Sequence, residues 1–86
     1  MDFEICDIVI SNSGRDRGKY FAVVGIENEN FVLIADGKYR KLEKPKLKRK
    51  KHLKATGLKL NALKEKCNNK EFYKSLEAVL NEQDQM

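Results

Sequence analysis

The chain has 86 residues, a formal net charge of +5 and a sequence pI of about 9.3. A chain of this size hides only roughly 60–65% of its unfolded surface on folding, so it forms one small core with little room for an enclosed substrate pocket. No apolar run approaches the ~20 residues of a membrane span, and the opening MDFEICD is acidic where a secretory leader is basic, so the expectation is a cytoplasmic protein that is neither exported nor inserted in a membrane.

The first sixty residues read as strands and turns. ICDIVIS, KYFAVVGIE and FVLIA are short, rich in Ile, Val and Phe, and bounded by Gly, Asn and Asp. In the second of these, Tyr20, Ala22, Val24 and Ile26 share one face, and Phe21, Val23 and Gly25 the other. Both faces are largely apolar, as in a curled sheet lined on one side and covered on the other by another element. Gly25 marks a point of sharp bending. ENEN at 27–30 separates strands two and three, and Asp36-Gly37 predicts a two-residue hairpin turn into KYRKL, making strands three and four neighbours.

Residues 43–51, EKPKLKRKK, predict an extended, solvated arm, because Pro45 interrupts pairing and like charges crowd together; HLKATGLKL then returns as a strand. In NNKEFYKSLEAVLNEQ the period changes. Phe72, Leu76, Val79 and Leu80 form one helical stripe, with Asn68 or Asn69 as N-cap, Glu71 in the first turn, and Leu60 and Leu63 in a short preceding helical turn. The expected organisation is a mainly β, closed or nearly closed barrel over residues 1–60, including a basic arm at 38–54, and a helical segment over 61–86 packed on it.

Charge is unevenly spread. From Lys38 to Lys54 there are ten Lys or Arg and one acid, Glu43, a local charge of +9 on a body that is otherwise −4. The natural partner of such a segment is a polyanion. A solvated charged face is the plain alternative, and an anionic membrane is disfavoured because the segment has no apolar face to insert.

The loop NSGRDRGK at 12–19 also suggests a phosphate grip. It is not a nucleotide-binding P-loop, which needs four residues between its glycines, Ser or Thr after Lys, and a following helix. Here three residues separate Gly14 from Gly18, Tyr20 follows Lys19, and a strand follows. What remains is a turn in which Asp16 bonds nearby backbone while Arg15 and Arg17 project outward, suited to phosphate oxygens. His52 has no nucleophile or orienting acid placed beside it, and Cys6 and Cys67 match no zinc spacing. The expectations are therefore a non-enzyme with no metal, cofactor or small-molecule substrate, monomeric when free, with reduced thiols and Cys6 buried.

SGRDRGK, the following VVGI, then FVLIADGKYRKLEKPK and KHL, in that order over about half the chain, resemble the KOW-domain proteins. More specifically, they resemble the archaeal and eukaryotic large-subunit ribosomal family called fourteen-e, with its compact bacterial relatives. The resemblance implies a small SH3-like barrel of about five strands that binds ribosomal RNA, with Gly18 at the motif glycine. It implies RNA contacts at Arg15, Arg17 and Lys19, then at Lys38, Arg40, Lys41, Lys44 and Lys46, with Lys48, Arg49, Lys50, Lys51 and His52 continuing the surface; Gly14 and Lys54 complete the loop and the arm. The tail at 61–86 departs from the longer extension of the eukaryotic members. The other reading is a protein-interaction module of the transcription or translation machinery with only loose RNA affinity. Stacking by Tyr20 or Tyr39 is a possible source of selectivity for RNA shape.

Overall fold

The computed structural model describes residues 2–60 and 68–84. It is mainly β. Strands β1 (Asp7–Ser11), β2 (Tyr20–Ile26), β3 (Phe31–Ala35), β4 (Lys46–Arg49) and β5 (Leu53–Lys59) form one sheet in the order β4-β3-β2-β1-β5, and helix α1 (Asn69–Asp84) follows. All pairings are antiparallel. The two edge strands, β4 and β5, are separated by a single 3-10 turn, Lys50–His52, so the sheet curls to bring one end of each edge together.

The two apolar faces of β2 serve two different clusters. Phe21 and Val23 join Val9, Val32, Ile34 and Leu53 on one side of the sheet, with Phe3 against them. Ala22 and Val24 join Ile8, Ala35 and Leu60 on the other, where Phe72 and Leu76 of α1 are buried and Val79 and Leu80 pack beside them. The helical stripe read from the sequence is thus the stripe that is covered. Ala22 and Ala35 stand opposite each other in the β2–β3 ladder, and this small pair lets the helix approach. The register of β2 against β3 shifts between Val23 and Gly25, which is the bend expected at that glycine.

The two asparagines before the helix divide the capping work. Asn68 is the N-cap, its Oδ1 accepting from the Glu71 N–H at 2.8 Å. Asn69 instead reaches across to the β3–β4 loop, where its Oδ1 accepts from the Leu42 N–H at 2.7 Å. Cys6 is half-buried against the helix-side cluster rather than fully buried, in a left-handed conformation with φ of 79°. Its N–H donates to Val23 O and its carbonyl accepts from Leu60 N–H. Leu63 and Cys67 lie outside the described residues.

Two expectations are corrected. β3 and β4 are neighbours, but KYRKL is not the fourth strand. Asp36 Oδ1 accepts from the N–H groups of Lys38 and Arg40, and the Asp36 and Gly37 N–H groups donate to Arg40 O, so the chain coils on itself and the ladder resumes only at Ile34↔Lys46. The stretch 43–51 is likewise not a solvated arm: Lys46–Arg49 is a paired strand, and Lys48 is buried. Charge crowding there is relieved by internal counterions.

Candidate nucleic-acid interface

In β4, Lys46 and Lys48 lie opposite Ile34 and Val32, residues of the inner cluster, while Leu47 faces outward and is 51% exposed. This inverts the usual order of a strand. The reason lies thirty residues earlier, in the loop between β1 and β2, where Asp16 is buried. Its Oδ1 accepts from the Ser11 hydroxyl at 2.7 Å and from Lys48 Nζ at 3.0 Å, and its Oδ2 accepts from Lys46 Nζ at 2.9 Å. Lys48 Nζ also donates to Ser13 O at 3.1 Å. Burial by itself would raise the Asp16 pKa; the hydrogen bonds from Ser11, Lys46 and Lys48, with the Lys48 charge, outweigh it and hold the carboxyl far below the usual carboxylate range. An edge strand carrying inward lysines is also protected from pairing with a second sheet.

The same carboxylate locks the loop at 12–19. Ser11 N–H donates to Lys19 O, Gly18 N–H to Ser11 O, and Lys19 N–H to Asp16 O, with Gly14 and Gly18 both at positive φ. Arg15, Arg17 and Lys19 are left exposed on a fixed frame. The sequence predicts that Asp16 bonds nearby backbone; its carboxylate instead bonds the side chains of Ser11, Lys46 and Lys48, the last two on β4. No local pattern announces this.

Across from that loop stands the 36–40 turn. Tyr39 is 60% exposed, and Lys19 Nζ lies 3.9 Å from its ring centroid. Lys38 Nζ lies 5.3 Å from Tyr39 and 5.2 Å from Tyr73 of α1. Between loop and turn is a depression of about 300 Å³ lined by Arg15, Asp16, Lys19, Phe21, Tyr39, Arg40 and Lys46. A larger one, about 580 Å³, is lined by Phe3, Leu53 and Ala55, with Lys50, Lys51 and Lys54 facing Asp2 and Asp7. There Lys50 is already paired with Asp2 at 2.9 Å, so the smaller depression has the stronger uncompensated positive character.

The sixteen residues expected to touch RNA therefore separate by position. Arg15, Lys19, Lys38 and Arg40 gather around Tyr39, and Lys46 reaches the same depression while bonded to Asp16; Gly14, Arg17 and Gly18 belong to the 12–19 loop and are exposed there. Lys41 and Lys44 are exposed in the loop before β4. Arg49 is exposed, 5.1 Å from the Phe31 ring centroid, and Lys51 and Lys54 are exposed on the other edge. His52 is half-buried, its carbonyl accepting from Asn12 N–H. Lys48 and Lys50 are engaged with Asp16 and Asp2. Among the described residues no cluster of His, Cys, Asp or Glu is placed to hold a metal, and no helix is long and apolar enough to cross a membrane. No protein-family model and no curated protein matches the chain.

Proposed function

We propose that this protein is a non-enzymatic RNA-binding domain that docks on ribosomal RNA of the large subunit, and that its curled sheet is an SH3-like barrel of the KOW type. The observation that carries the RNA reading is the convergence of Arg15, Lys19 and Arg40 on one depression beside an exposed tyrosine. Arginine forks and lysine ammonium groups suit phosphate oxygens, and an exposed ring suits an unpaired base. The likeness of residues 9–53 to the ribosomal family directs the reading to ribosomal RNA, and the short 3-10 turn joining the two sheet edges supports the barrel.

Phosphate contacts by roughly six of the exposed cations give a log–log salt slope of about −5. The variant R15A/R17A/K19A is expected to reduce the magnitude of that slope by about 2.5 and to weaken RNA binding tenfold or more, with a thermal midpoint close to that of the parent, because none of the three side chains is buried. Fluorescence anisotropy across a salt series reads both quantities.

Ribosomal docking is tested by sucrose-gradient sedimentation of a cell lysate at low salt and at about 0.5 M salt, with and without RNase. Comigration with large subunits that RNase abolishes is the expected result. A large complex that survives RNase would overturn it in favour of a protein-interaction module.

A further inference from the structure

We propose that the depression between the 12–19 loop and the 36–40 turn accepts a single unstacked nucleotide of an RNA, its base against Tyr39 and its phosphate on Arg15, Lys19 and Arg40. The proposal rests on the RNA-binding reading and deepens it: it separates an RNA with a bulged or looped nucleotide from a perfect duplex.

Three features of the site carry it. The first is size. At about 300 Å³ the depression stands at the lower end of the range for small-ligand sites, about 300–1,000 Å³, which admits one nucleotide rather than a run of stacked bases. The second is composition: Phe21, 2% exposed, forms an apolar lining, Tyr39 a ring wall, and the arginines and lysines a cationic rim. A flat base with an attached anion has this same division, whereas an A-form duplex keeps its base faces covered. Asp16 does not repel the phosphate, because Ser11, Lys46 and Lys48 occupy its carboxylate oxygens.

The third is pre-organisation. Tyr39 lies inside a turn closed by two hydrogen bonds to Asp36 Oδ1, and the facing loop is fixed by Asp16. A base arriving at the ring finds the backbone that carries it already fixed, so little backbone ordering entropy is lost on binding. Lys19, on a flexible stem 3.9 Å from the ring centroid, passes from ring to phosphate as the base takes its place.

The test uses the full chain and two RNAs at low salt: a duplex, and the same duplex with one bulged 2-aminopurine nucleotide. The parent protein is expected to bind the bulged RNA about tenfold tighter than the duplex and to quench the 2-aminopurine emission by stacking. Tyr39→Ala should abolish the preference for the bulged RNA, and Tyr39→Phe should retain it. Equal binding of the two RNAs by the parent, with unquenched 2-aminopurine, overturns the nucleotide site while leaving RNA binding in place. If neither RNA binds, the RNA-binding reading itself fails, and the site with it. The quenching measurement needs no variant, so a poorly folded Tyr39→Ala would not obscure the answer.

Discussion

Asp16→Ala is expected to lower stability at neutral pH by about 3 kcal/mol, a large share of the roughly 5–10 kcal/mol that holds a domain of this size together. The loss comes mainly from what remains behind. Lys48, with 8% of its side chain exposed, keeps its ammonium group but loses its carboxylate, and the Ser11 hydroxyl loses its acceptor on Asp16. Lys48→Met removes the cation instead, leaving Asp16 bonded to Ser11 and Lys46, and is expected to cost about 1 kcal/mol. Asp16→Ala/Lys48→Met should then be more stable than Asp16→Ala alone. A double-mutant cycle by urea denaturation reads the coupling, and a value near zero would refute the lock. The pH dependence has a fixed sign. Because the folded carboxyl titrates far below its unfolded value, its contribution is complete above about pH 4 and declines as pH falls further toward the folded pKa. The gap in midpoint between parent and Asp16→Asn should therefore be steady at pH 5–8 and narrow below pH 4.

This lock also marks where the sequence stops being readable. Strands β1, β2 and β3 were legible as short runs rich in Ile, Val and Phe between turn residues, and the helical stripe because its apolar residues recur at the helical period; β5 was legible only as the return of the chain after the basic stretch. The bend at Gly25 was legible for an equally local reason, whereas the Asp36-Gly37 turn pointed to KYRKL, which is not the strand that pairs with β3. β4 was not legible, since Lys-Leu-Lys-Arg beside Pro45 carries the pattern of a solvated arm. Whether such lysines face in or out depends on a counterion, and the counterion stands 30 and 32 positions away on another loop. The exposed cations of the 12–19 loop were visible as candidates, and so was Tyr39. Their convergence on one depression, the burial of Lys48 and the pairing of Lys50 with Asp2 depend on the fold. Spacing along the chain says nothing of it. Asn69 was similarly ambiguous: as a possible N-cap it looked interchangeable with Asn68, and only the packing of the helix on the 36–43 segment separates their roles.

That packing makes Gly37→Ala the second large effect, expected to cost about 3–5 kcal/mol. Two penalties add. At φ of 84° any L side chain is strained, by about 1–2 kcal/mol. A Cβ at Gly37 would also stand 2.3 Å from the Asn69 carbonyl oxygen and 3.1 Å from the Tyr73 nitrogen, both backbone atoms within the first five residues of α1. Neither can swing aside as a side-chain end would, so the start of the helix must lift from the turn. The Leu42–Asn69 hydrogen bond is then lost, and Phe72, buried one turn along, is partly uncovered. Gly18→Ala isolates the first penalty: its φ is 86°, but a Cβ there meets nothing within 4 Å, so it should cost only about 1–2 kcal/mol. The difference between the two alanine variants in urea denaturation measures the helix-docking contact, and equal losses would show that the turn does not seat the helix. Because the same turn carries Tyr39, Gly37→Ala should also weaken the preference for a bulged RNA under conditions where the variant remains folded, whereas disturbance confined to the far end of α1 should leave that preference intact.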